Sequence, residues 1–157
     1  MTALELARKL KYVRELQGNT GQRVEAIQKW GGGKAGDSWC AFFVTMVLDI
    51  VYEGKCPLPR TGSCDVILQR AHAEHWIVAA PEPGDLYLRL NSPTDAHHVG
   101  FCTTELYDNA DGQRVFGQIS GNTSADGLSS NGDGVYEREV RFTSPDKIVF
   151  VHVPAAA

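Results

Sequence analysis

Four cysteines and five histidines carry most of the nucleophilic and proton-transferring capacity of this chain. Cys40 stands out by position. It lies between a polar loop, GGGKAGDS (31–38), and the apolar run from Ala41 to Val51. A thiol is a weak nucleophile until it becomes a thiolate. Two devices lower its pKa: the positive end of a helix and a neighbouring imidazolium. If the apolar run is a helix, Cys40 falls in its first turn. Free backbone N–H groups there favour a thiolate and are placed to hold an oxyanion during acyl transfer. The chemistry indicated is attack on a carbonyl, with a histidine as general base.

His98 is the histidine with a context. It opens HVGF (98–101), where glycine allows another backbone to come close. His97 is its rival, and strand alternation lets only one of the two face a site. His72 and His75 stand three apart on a predicted helix and read as surface residues, without HExxH spacing. His152 ends the last predicted strand with no motif around it. Beyond His98, QISGNTS (118–124) ends a strand in polar residues and supplies a polar orienter. Among the other cysteines, Cys102 sits mid-strand and reads as packing. Cys64 also begins a predicted helix and is the rival nucleophile, but it has no glycine-rich loop ahead and no apolar helix behind. Cys56 and Cys64 flank a proline-containing loop and could pair under oxidation. No CxxC occurs, so neither a zinc ribbon nor a thioredoxin site is expected.

The elements that must position these groups follow from periodicity. Helices are expected at 2–16, capped by Thr2, at 23–30, at 39–52 and at 64–76, capped by Ser63. The third is apolar around nearly its whole circumference, which makes it a buried central helix, with Asp37 or Ser38 as its N-cap. Strands are expected at 86–90 after the Pro-Gly-Asp turn (83–85), and at 98–104, 114–120, 135–142 and 147–153. Helices first and antiparallel strands afterwards give an α+β domain, N-terminal helices packed on an antiparallel β-sheet. The 157 residues suit a single domain, 1–157.

Composition narrows the partners. The net charge is −4 and no block of Lys or Arg is present, so no nucleic acid is expected as a ligand. The charged N-terminus lacks the apolar stretch of a signal peptide, and 41–51 is too short to span a bilayer. The expectation is a chain synthesised in the cytoplasm, without membrane insertion. GGGKAG lacks the Lys-Ser/Thr pair of a phosphate loop. SSNGDG (129–134) begins like a calcium loop, but the twelfth position is Val140, so a hairpin turn is preferred.

Four segments occur in order: SWCAFFV (38–44), PGDLY (83–87), HHVGF (97–101) and ISGNTS (119–124). Together they resemble the CHAP domain, the cysteine, histidine-dependent amidohydrolase/peptidase family. More broadly the chain resembles NlpC/P60-like hydrolases of the papain fold, above all the compact forms of phage endolysins and bacterial wall hydrolases. The resemblance spans about residues 36–153, leaving 1–35 as N-terminal helices. It implies a papain-like core with Cys40 as nucleophile, His98 as general base and Asn122 orienting the imidazole. His98 is preferred to His97 because it directly precedes Val-Gly, as in the family pattern. Asp37, Trp39 and Ser120 would lie near substrate.

The implied substrate is bacterial peptidoglycan, cut as an N-acetylmuramoyl-L-alanine amidase or as an endopeptidase of the stem peptide or cross-bridge, with no metal or organic cofactor. Such an enzyme would reach the cell wall after release or secretion. Family members often carry Glu two residues before the asparagine, where this chain has Ser120. Serine cannot balance an imidazolium as a carboxylate does, and Asp95 or Asp126 are the substitute acids within the sequence. Two alternatives keep the resemblance: a secreted amidase effector with a cognate immunity protein, and a catalytically inactive wall-binding module.

Overall fold

The structure is a computed structural model that describes residues 1–123 and 133–155. Its helices are α1 (Ala3–Lys9), α2 (Gln22–Trp30), α3 (Cys40–Val51) and α4 (Cys64–Ala73). Its strands are β1 (Ile77–Val78), β2 (Leu86–Ser92), β3 (Asp95–Cys102), β4 (Tyr107–Asp108), β5 (Arg114–Thr123), β6 (Gly134–Arg141) and β7 (Ile148–Val151). All pairings are antiparallel, in the order β1-β7-β2-β3-β5-β4, with β6 also on β5. The architecture is α+β, helices on an antiparallel sheet. The last strand does not follow its predecessor but inserts between β1 and β2, beside the first long strand.

α3 is the centre of the larger core. Cys40 to Thr45, Val47 and Leu48 are buried, and the helix packs on β3 and β5. Phe43 meets Trp39 and Phe101 edge-to-face, each at 6.5 Å between ring centroids, the favourable arrangement for aromatic quadrupoles. A second, smaller core gathers Tyr87 of β2, Cys102 of β3, Phe116 of β5, Val140 of β6 and Ile148 and Phe150 of β7. Phe116 of β5 meets Phe150 of β7 at 5.1 Å between ring centroids although β2 and β3 lie between their strands, so the sheet curls around this cluster. Cys102 is a packing residue of that core.

Two expectations about the helices change. α1 ends at Lys9 rather than Leu16. The chain after it bridges to Gly134, and Glu15 N–H donates to the Asp133 carbonyl at 2.8 Å. Tertiary pairing with the start of β6 overrides helix propensity there, and Leu16, which a longer helix would bury, is exposed. Neither Asp37 nor Ser38 caps α3. The N-cap is Trp39 and no side chain caps the helix, while the Asp37 carboxylate instead accepts the Lys34 N–H at 2.9 Å. α4 does take Ser63 as its cap, accepting from Val66 N–H at 3.2 Å.

Candidate active site

Two helix starts and one strand converge. Cys40 is the first residue of α3 and Cys64 the first of α4, and their sulfurs lie 3.6 Å apart. β3 is pinned beside them: the Asp65 carboxylate accepts the Ala96 N–H at 2.7 Å. Immediately after Ala96 the register slips. Arg89 faces His98 and Leu90 faces Ala96, so His97 is an extra residue in a β-bulge. His97 stays exposed while His98 turns inward. Bulges re-aim side chains in this way beside functional sites.

The tautomer of His98 follows from a chain of hydrogen bonds. Gln118 Nε2 donates to the Tyr136 carbonyl at 3.4 Å, which leaves Oε1 facing two hydroxyls. Tyr87 O–H donates to that Oε1, and so does Ser120 O–H, at 2.8 Å. The Ser120 proton is thereby committed, and its Oγ accepts from His98 Nε2–H at 3.1 Å. Nδ1 is left as the basic nitrogen, with no hydrogen bond of ordinary geometry. Burial pushes the Tyr87 phenol up to about 12, so it stays a donor.

The Cys40 thiol is held well below the usual thiol range. The largest cause is the Cys64 thiol beside it; burial opposes, and the nearby His98 ring, outside ordinary hydrogen-bond geometry, and the Val99 backbone lower it further. Cys64 moves the opposite way, raised chiefly by that same contact with Cys40 and by burial. The pair therefore divides the work: the sulfur on α3 takes the charge, and the sulfur on α4 keeps its proton. Cys40 is 2% exposed and His98 1%, so the thiol and the imidazole are both desolvated.

Glycines explain why the short motifs read as they do. A Cβ on Gly100 would stand 2.6 Å from Ser120 Cβ and 2.7 Å from Tyr87 Cε1. A Cβ on Gly121 would stand 2.6 Å from Trp39 Cζ3 and 3.0 Å from Phe43 Cβ. The first keeps β2, β3 and β5 close enough for the hydrogen-bond chain. The second lets β5 lie against the start of α3.

The other expected site residues fall as follows. Asn122 does not hydrogen-bond the imidazole, and that position belongs to Ser120, two residues earlier. Asn122 sits in a second bulge, between Ser120 and Thr123, with φ +53°. It is fully buried, and neither amide atom has a partner among the described residues. Trp39 is buried, not groove-lining, and its indole N–H donates to Glu15 at 3.0 Å. Asp37 holds its own turn. Asp95 is exposed and accepts from Asn91 at 3.2 Å, away from His98; Asp126 and most of 129–134 lie outside the described residues.

Cys56 is no partner of Cys64, since all four cysteines are free and Cys64 faces Cys40. Asp85 of the Pro-Gly-Asp turn accepts Glu82 N–H at 2.9 Å and pairs with His152 Nδ1 at 2.7 Å, a structural role that gives His152 its place. His72 and His75 are exposed. Among the described residues no cluster of His, Cys, Asp or Glu could hold a metal ion, and no helix is long and apolar enough to cross a membrane.

Sequence reasoning missed Tyr87 and Gln118 as parts of the site, and took Cys64 as a rival of Cys40 rather than its neighbour. The signal for Gln118 was present: a polar residue two before Ser120 shares its face of the strand. No family profile, no curated protein and no solved structure matches this chain.

Proposed function

We propose that the chain is a cysteine-dependent amide hydrolase of papain-like type, acting on an amide bond of bacterial peptidoglycan. The chemistry rests on one observation: His98, with Nε2 tied to Ser120, presents Nδ1 as the base beside a Cys40 thiol already lowered in pKa. Cys40 attacks the carbonyl carbon, forming a thioester through a tetrahedral oxyanion. The backbone N–H groups at the side-chain-uncapped start of α3 are placed to hold that oxyanion. His98 Nδ1 takes the Cys40 thiol proton on attack and gives it to the amine as the C–N bond breaks; it then takes one from the water whose hydroxyl displaces the sulfur from the acyl group, and returns it to Cys40. The wall as substrate rests on the four ordered motifs, and the cut is at the N-acetylmuramoyl-L-alanine bond or within the stem peptide or cross-bridge.

The test is mass spectrometry of sacculi digested with the native chain and with Cys40→Ala. The expected outcome is new amine and carboxyl termini with the native chain and none with the variant, at equal thermal stability. Unchanged release by Cys40→Ala would sink the reading.

The burial of Cys40 and His98 favours a second reading, a module that keeps the constellation but does not turn over. Iodoacetamide at pH 6 separates the two. A primed, reachable Cys40 alkylates far faster than a model thiol, and a sealed one does not.

A further inference from the structure

At one end of the second core the sheet opens into a cavity of about 460 Å³, the size of small-molecule sites. Its rim is cationic. Arg89 of β2, Arg138 and Arg141 of β6, and Lys147 just before β7 all line it. Its floor is apolar, with Leu90, Val140 and Ile148. Glu139 is the one acid of the lining, and its carboxylate is already taken by Tyr107 O–H at 2.6 Å and Asn109 Nδ2 at 3.0 Å. Arg89, Arg141 and Lys147 make no ion pair among the described residues, and the Nε of Arg89 is buried without a hydrogen-bond partner. A buried guanidinium N–H beside an apolar floor costs stability unless an acceptor takes it, and a carboxylate is the strongest such acceptor.

We infer that this cavity is a binding site for a peptide bearing a free carboxylate, its anionic end on Arg89, Arg141 and Lys147 and its hydrocarbon on Leu90, Val140 and Ile148. The combination selects the ligand class. Guanidinium forks match a carboxylate in two-point geometry. A bare inorganic anion would leave the apolar floor unused. An extended polyanion needs a basic stripe, whereas these cations converge on one concavity in a chain of net charge −4. Arg89 lies directly across the strand pair from His98, and paired residues share a face of the sheet. The site thus adjoins the candidate catalytic group; the carboxylate stands on the cavity alone, and the choice of a peptide to carry it rests on the hydrolase reading.

The experiment is an NMR titration of the full chain carrying Cys40→Ala, so that no turnover intervenes. The probes are N-acetyl-alanyl-alanine, its C-terminal carboxamide and inorganic phosphate. The expected result is saturable shifts at Arg89, Leu90, Val140 and Ile148 with the free acid, and none with the carboxamide. Arg141→Gln and Lys147→Gln, both at exposed positions, should each weaken the acid by about tenfold, the value of one charge-assisted hydrogen bond. The inference is overturned if the acid produces no saturable shift, if acid and carboxamide bind alike, or if phosphate competes equally well, which would make the cavity a general anion sink. Unchanged wall cleavage by Cys40→Ala with carboxylate binding intact would overturn the hydrolase reading and leave this one standing.

Discussion

A thiol buried among apolar side chains ordinarily resists ionisation. Cys40 does not, because a second thiol and an imidazole both stabilise its charge. The contribution of Cys64 is testable. In Cys64→Ala the largest lowering influence disappears, so the pH midpoint of Cys40 alkylation should move upward, measured as rate against pH with the labelled peptide identified by mass. Ser120 acts through His98 and so is a positioning residue. Ser120→Ala leaves Nε2–H without its acceptor in a buried place. With about 1–3 kcal/mol lost, kcat on a muropeptide should fall by roughly tenfold or more, with KM nearly unchanged. A matching rise in KM would mean that Ser120 meets substrate instead. At this scale the types and spacing of Cys40 and His98 were legible from the chain, because a thiol at a helix start and a histidine before Val-Gly are local patterns. The third group was not. Ser120 and Asn122 lie on one strand within two residues of each other, and only the bulge decides which of them reaches the ring.

The elements succeed or fail as readings according to where their stability comes from. α3 and α4 were legible, within a few residues, because their apolar faces and the Ser63 cap are written locally. α1 was overextended, since the pairing of residues 14 and 15 with the start of β6 is a long-range event that no window of sequence reports. The two-residue strands β1 and β4 carry no alternation to detect. The placement of β7 beside β2 likewise had no local signal. The docking of α3 against β5 supplies the prediction at this scale. Gly121→Ala puts a methyl group into Trp39 and Phe43, and overpacking of this kind costs about 1–3 kcal/mol. Urea unfolding should show the loss as a lower midpoint with an unchanged slope. An unaltered midpoint would mean that strand and helix are not in contact there.

Across the whole molecule, the N-terminal segment and the sheet are joined by charge as well as by backbone. Glu137 of β6 accepts from Arg8 at 3.0 Å and pairs with Lys11 at 2.9 Å. The hydrogen bond from Arg8 is the main cause holding the Glu137 carboxyl below its ordinary range; burial opposes it and Lys11 adds to it. A depressed carboxylate stabilises the fold above its unfolded pKa of about 4.3, and that contribution is lost as the pH falls through the lower folded value. Both cationic side chains are nearly half exposed, so the gain is below about 1 kcal/mol. Native chain and Glu137→Gln should accordingly differ in urea midpoint at pH 7, with the difference shrinking as the pH falls below the unfolded value; a constant difference would assign the effect to packing.

Trp39 rests its indole on Glu15, and Gln28 donates to the carbonyls of Asn19 and Asp37 at 2.8 and 2.7 Å. The approach to Cys40 is thus braced by a stretch that carries none of the motif residues. A shortened version beginning near residue 36 would strand an indole N–H next to Cys40 and leave the turn before it without its tether. Minimal variants and domain grafts should therefore carry the first thirty-five residues along.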